Sequence, residues 1–253
     1  MASNYSLALS GGGIRGYAHV GAVMALTEMG VEFTAVSGGS SGAIIGALLC
    51  DGYSPGDIAD IIIREEPAVG VNLRRFRQGM LSFAAIEQLL TKYLRSRNFE
   101  ELRTPLYVAA TNLLTGRQHI FSSGAIIPAL AASSALPLLL PPLEIDGVPY
   151  ADAGMSNNLP VEPLVGRPEG IIGIHVNPVQ PYLRNAGLMN TIDRSMHIIV
   201  GNNIRPAISL CDIFIEPPAL VNYHLLHRKK SKEIIQAGYD HVKATIRPSL
   251  LHS

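Results

Sequence analysis

Two rhythms of apolar and polar positions run along the chain. Residues 6–9 form a short apolar run that stops at three glycines, the pattern of a buried strand. From 17 to 29, His19, Val20, Val23 and Leu26 fall on a helical period, and Gly30 supplies a C-terminal stop. Residues 31–36 predict a second strand, ending at Ser37-Gly38-Gly39, and the apolar, Ala-rich stretch 41–49 predicts a buried helix. Ser54-Pro55-Gly56-Asp57 starts another helix, with Ser54 as N-cap and Pro55 at the first position; Ile58, Ile61 and Ile62 form its apolar face. A further helix is expected over 83–94. Strands are expected over 106–110 and 119–121, joined by a turn at Leu114-Thr115-Gly116-Arg117. Residues 171–176 and 212–215 read as buried strands, and 229–246 as a closing helix with Ile235, Tyr239, Val242 and Ile246 on one face. Strands alternating with helices predict an α/β fold, a three-layer α/β/α sandwich with a mainly parallel central sheet.

Composition narrows the classes of function. Lys and Arg total 20 and Asp and Glu total 20, a net charge of zero. A nucleic-acid binder needs surplus positive charge to displace counterions, so no nucleic acid is expected as partner. Hydrophobic residues make up 47% and charged residues 16%, which excludes disorder for the bulk of the chain and suits a protein that meets lipid or another subunit. The 253 residues are expected to form one domain over 1–253 around a sizeable core. Cys50 and Cys211 sit in apolar stretches and read as small core residues. No His/Cys spacing suggests a metal site and no dense acidic loop suggests calcium, so no cofactor is expected.

The first residues carry no basic stretch followed by an apolar run, so no standard signal peptide is expected. Residues 120–143 are uncharged, but Pro128, Pro137, Pro141 and Pro142 would leave backbone groups unsatisfied in hydrocarbon. That segment reads as buried or interfacial: core packing, or the wall of an acyl-chain pocket. The expected location is the cytoplasm, with peripheral contact at a membrane surface left open, as is the oligomeric state.

Three constellations can carry chemistry. Gly11-Gly12-Gly13-Ile14-Arg15-Gly16 contains G-x-G-x-x-G between a strand and a helix. A dinucleotide site would need an acidic residue about 20 positions on, at the end of the second strand, and Glu32 is at its wrong end. What remains is a run of glycines at a helix N-terminus, able to offer backbone N–H groups to an anion or a transient oxyanion; a tight strand–helix turn is the plainer use. Gly38-Gly39-Ser40-Ser41-Gly42 is G-x-S-x-G between a strand and a helix, the context of a nucleophile elbow. Ser40 is the nucleophile by pattern and Ser41 the expected helix cap; the alternative is an ordinary capped turn. In the third, Asp146-Gly147 reads as a hairpin turn that leaves Tyr150-Ala151 as a short strand delivering Asp152-Ala153-Gly154.

Together these residues resemble the patatin-like phospholipase family over about residues 5–180. Gly11 to Gly16 resembles its glycine-rich oxyanion motif, Gly38 to Gly42 its serine motif, and Asp152 to Gly154 its D-G-A/G motif. The run Ala132-Ser133-Ser134-Ala135-Leu136-Pro137, then Pro141-Pro142 and Asn157-Asn158-Leu159-Pro160, also resembles family sequence. One residue departs: the family usually has Gly where this chain has Ala153, and a left-handed backbone there would cost Ala about 1 kcal/mol or more.

The resemblance implies a Ser–Asp dyad, with Ser40 as nucleophile and Asp152 as its base. Gly11, Gly12 and Gly13 would form the oxyanion hole, supported by Arg15, Gly16, Gly38, Gly42 and Gly154. Arg15 either braces the loop or attracts a phosphate. The implied substrate is a phospholipid or lysophospholipid ester. The alternatives are a carboxylesterase or thioesterase acting on small esters, and a non-catalytic regulatory or binding protein on the same fold. A Ser…Asp…His triad is the competing mechanism, since His175, His197, His224, His227, His241 and His252 all follow Asp152. His175 and His197 lie in apolar surroundings and read as core residues, as do His19 and His119. Arg228-Lys229-Lys230 with Lys232 reads as a solvated face more readily than a lipid contact, and residues 66–79 are a candidate mobile region.

Overall fold

The computed structural model describes residues 3–69, 84–137, 140–179, 187–223 and 230–251. The candidate mobile region 66–79 lies outside the described residues from position 70 on, as do His224, His227, Arg228, Lys229 and His252.

A central sheet runs in the order β5-β6-β3-β2-β1-β7-β8, with β4 also pairing β3. The strands are β1 (Ser3–Leu9), β2 (Val31–Gly39), β3 (Leu106–Asn112), β4 (Arg117–Phe121), β5 (Leu143–Ile145), β6 (Val148–Ala151), β7 (Gly170–Ile174) and β8 (Ile213–Ile215). All pairings among β1, β2, β3, β7 and β8 are parallel, whereas β4 and β6 join β3 antiparallel and β5 joins β6 antiparallel. The helices are α1 (Tyr17–Glu28), α2 (Ser41–Cys50), α3 (Pro55–Val69), α4 (Ala84–Tyr93), α5 (Ile126–Ser133), α6 (Gly187–Asn203), α7 (Arg205–Ile208) and α8 (Ser231–Thr245).

Side chains alternate across a strand, so the central strands feed two cores. Leu7, Leu9, Val36, Ile172 and Ile174 join a large core with residues of α1, α2, α3 and α8. Ala8, Ala35 and Ile171 face the other way, against Leu159, Leu164, Ile204 and Ala207. Helices therefore cover both faces of the sheet, giving the three layers expected. Strands buried on both sides carry continuous apolar runs, which is why residues 6–9 and 171–176 were visible without alternation. Within the uncharged 120–143 segment, Ile126, Ala129 and Leu130 of α5 are buried in the large cluster, whereas residues 122–125, 128, 141 and 142 are exposed. Ser54 and Asp57 start α3 by exchanging bonds, with the Asp57 amide donating to the Ser54 hydroxyl (3.1 Å) and the Ser54 amide to the Asp57 carboxylate (3.1 Å).

Candidate active site

The edges of β3 bring the serine and aspartate motifs together. Val108 and Ala109 pair with Gly38 and Gly39 of β2 on one edge and with Phe121 and Ile120 of β4 on the other. Thr111 pairs with Gln118 of β4 and with Ala151 of β6. Because β4 holds one edge throughout, β6 occupies the edge that β2 vacates after Gly39. The two strands run in opposite directions, so their ends meet: Ser40 follows Gly39, and Asp152 follows Ala151.

Ser40 sits at the turn from β2 into α2 with φ 50° and ψ −122°. A non-glycine residue with positive φ is strained and persists only where its surroundings determine it. Here the turn is tightly enclosed. A β-carbon placed on Gly38 would lie 2.7 Å from the Ala43 amide nitrogen, and one on Gly42 would lie 2.5 Å from the Leu9 carbonyl oxygen. The Ser40 amide donates to the Ser133 hydroxyl on α5 at 2.8 Å. Sequence reasoning placed the cap on Ser41, and this is corrected. Ser40 occupies the N-cap position without a side-chain capping bond, and Ser41 is the first residue of α2. The Ser41 hydroxyl packs where a side chain at Gly16 would stand.

Asp152 is 6% exposed and held at three points. Its amide donates to the Ala135 carbonyl (3.0 Å), its carbonyl accepts from the Thr111 hydroxyl (2.8 Å), and Oδ1 accepts from the Gly154 amide (2.8 Å). Burial pushes its carboxyl up to about 6, opposed by the Gly154 amide and by hydrogen bonding from the Ser40 side chain. Ala153 carries no left-handed strain, because Ser40 and Asp146 are the positive-φ non-glycine residues among those described. A β-carbon on Gly39 would lie 2.9 Å from the Ala153 methyl, so the small residue at 39 makes room for the larger one at 153.

The glycine loop lies beside Ser40: a β-carbon on Gly11 would be 3.0 Å from that of Ser40. The Gly11 amide is used structurally, donating to the Asn158 carbonyl at 3.1 Å, and its carbonyl accepts from the side-chain amides of Asn158 and Asn177. The Gly12 and Gly13 amides have no such acceptor among the described residues. Gly13 is exposed, with φ 56°, and Gly12 abuts Val176, which excludes a side chain. Arg15 is fully buried. Its Nε donates to the Tyr223 carbonyl (2.6 Å) and a guanidinium nitrogen meets His197 Nε2 (3.0 Å), so it braces the loop.

The buried histidines have other partners. His175 pairs with Glu216 (2.7 Å), His197 with Arg15, and His19 Nε2 with the Ser10 carbonyl (2.8 Å). His119 packs against Phe121 and Tyr150. None of these contacts reaches Asp152. Among the described residues no group of three or more His, Cys, Asp or Glu could hold a metal ion, and no helix is long and apolar enough to cross a membrane.

Residues 7–165 match the family described as Patatin-like phospholipase. An uncharacterized NTE family protein of Mycobacterium tuberculosis is 32% identical over 167 residues, 64% of this chain and 45% of that protein. Lysophospholipase NTE1 of Kluyveromyces lactis is 26% identical over 265 residues, 92% of this chain and 18% of that protein. The chain thus spans less than half the length of these curated relatives. Among solved structures, VipD from Legionella pneumophila shares the fold, with TM-score 0.54 and 15% identity over 99% of this chain and 67% of that one.

Proposed function

The chain belongs to the patatin-like phospholipase family, and we propose that it is a serine acyl hydrolase cleaving ester bonds of phospholipids or lysophospholipids through Ser40 and Asp152. The observation that carries this reading is the meeting of a strained Ser40 with a buried carboxyl raised to about 6. An ordinary aspartate is too weak a base near neutrality; one raised to about 6 by burial is close to the working pH and still ionised there.

Asp152 takes the Ser40 proton as Oγ attacks the ester carbonyl carbon. The carbonyl electrons move to oxygen, and the resulting oxyanion is met by the Gly12 and Gly13 amides, each donor of this kind being worth about 10²–10³ in rate. Gly11, whose amide is already bonded, anchors that loop. The tetrahedral species collapses, the C–O bond to the alcohol breaks, and Asp152 returns its proton to the leaving oxygen. Water, deprotonated by Asp152, then releases the fatty acid and restores Ser40. The names of the lysophospholipase relative and of the family support a lipid as acyl donor.

The test is hydrolysis of p-nitrophenyl esters of increasing chain length and of a lysophospholipid, with Ser40→Ala as control and fluorophosphonate labelling in parallel. Turnover and labelling that both vanish in Ser40→Ala support the reading, and a long-chain optimum supports a lipid substrate. A folded wild-type protein that neither turns over nor labels is a binding protein.

A further inference from the structure

We propose that Asn203, the last residue of α6, is a positioning residue for this hydrolysis: its side-chain amide clamps the turn that carries Asp152 and ties it to the glycine loop. The proposal rests on the hydrolase reading above.

The Asn203 carboxamide is used at both ends. Its oxygen accepts from the Asn158 amide (3.1 Å), and its nitrogen donates to the Gly154 carbonyl (2.8 Å). Each contact falls on a residue that itself makes a bond shaping the site. Gly154 presents its own amide to Asp152 Oδ1 at 2.8 Å. Asn158 holds Gly11 twice, through its carbonyl (3.1 Å) and its side-chain nitrogen (3.3 Å). One side chain therefore fixes, through two backbone groups, both the orientation of the base and the seat of the oxyanion loop. Asn203 is 45 or more residues from either partner and lies outside the matched region 7–165. A helix needs no carboxamide at its last position, and both of its hydrogen-bonding ends point to the site rather than to its own helix. Only an uncharged group carrying both a donor and an acceptor satisfies an N–H and a C=O at once.

The clamp also reaches the acidity of the base. The Gly154 amide is one of two groups that hold the Asp152 carboxyl down against burial, the other being the Ser40 side chain. Among the described side chains, the charged and titratable groups on the elements around the turn are Arg15 in the glycine loop, Arg194 and His197 on α6, Glu162 after the turn, Arg117 and His119 on β4, and Glu144, Asp146 and Tyr150 on the β5–β6 hairpin. None of them is among the groups that shift it. Releasing Gly154 thus removes one of two restraints and raises the carboxyl further.

The experiment measures kcat, KM and the pH profile of p-nitrophenyl ester hydrolysis for wild type, Asn203→Leu and Asn203→Ala, with melting curves for all three. Neither variant adds a charge. We expect kcat to fall about 10- to 100-fold, as for small misplacements of catalytic groups, with KM nearly unchanged. We also expect the acid limb of kcat to move to higher pH in both variants. A folded variant that keeps the wild-type kcat and pH profile overturns the proposal, as does one that loses kcat without moving the acid limb. If both variants fail to fold, Asn203 is structural and the proposal falls. A wild type that neither hydrolyses esters nor labels at Ser40 removes the hydrolase reading itself, an outcome distinct from these.

Discussion

Ser40 and Asp146 have the same φ, 50°, and the chain holds them there in different ways. Asp146 occupies an exposed hairpin turn between β5 and β6, followed by Gly147 with φ 77°. Both residues are left-handed, the arrangement that a two-residue hairpin requires, and Asp-Gly is among the dipeptides best suited to it. The turn's conformation is written in the turn. Ser40 has no such local excuse: it is followed by another serine and sits where a strand enters a helix. Its conformation is imposed from outside, by the close backbone of Gly42 against Leu9, by Gly38 against Ala43, and by Ser133 reaching in from α5. Strain supplied locally is a device of folding. Strain imposed by packing from several elements lifts the Ser40 hydroxyl clear of its helix instead of letting it cap, and leaves it to Asp152.

Ser40→Ala removes the proposed nucleophile while leaving the turn's packing intact; ester turnover should fall by about 10⁴-fold or more with an unchanged melting curve.

Asp152→Asn separates the energetics of the proposed base from the fold. The folded carboxyl is raised to about 6 from 3.8, so its ionised form is disfavoured in the folded state. Below the unfolded value both states are protonated and nothing is lost. As pH rises through the folded value, stability drops by about 3 kcal/mol relative to acid. Asparagine lacks this penalty, so the variant should melt above wild type at pH 8, with the gap closing towards pH 4.

Removing the restraints on Ser40 should come next in size. Gly42→Ala forces a methyl against the Leu9 and Ser10 carbonyls and should cost about 1–3 kcal/mol, read by urea denaturation. Ser133→Ala leaves the Ser40 amide without its acceptor, a cost of about 1–3 kcal/mol accompanied by a lower kcat. Asp146→Ala, by contrast, should cost only about 1 kcal/mol and leave kcat and KM as they are.

The same contrast explains what could be read from the amino-acid order. Motifs whose geometry is local were legible: the glycine loop, the G-x-S-x-G turn, the Asp146-Gly147 hairpin and the doubly buried strands. The long-range partners were not. Ser133 and Thr111 are ordinary residues on a helix and a strand, 93 and 41 positions from the groups they hold. Asn158, Asn177 and Asn203 converge on the glycine loop and the Asp152 turn, and no spacing announces that a carboxamide will point there. Ser133 and Asn158 did lie within family-like runs, which was the available signal. The cap was misplaced because pattern alone favours any serine before a helix, whereas backbone strain at Ser40 decides which serine starts it. Likewise, pattern alone could not separate the buried Ile126, Ala129 and Leu130 of α5 from lipid-facing positions, because both are apolar.

In the proposed reaction Asp152 alone serves as base to Ser40, and the buried His19, His175 and His197 are bonded elsewhere. The most direct measurement is kcat/KM for one p-nitrophenyl ester across pH 4–9, in wild type, Asp152→Asn and His197→Asn. We expect a wild-type profile with an acid limb near 6, loss of turnover in Asp152→Asn, and retained turnover with the same limb in His197→Asn. Turnover that survives in a folded Asp152→Asn variant would contradict this role of Asp152.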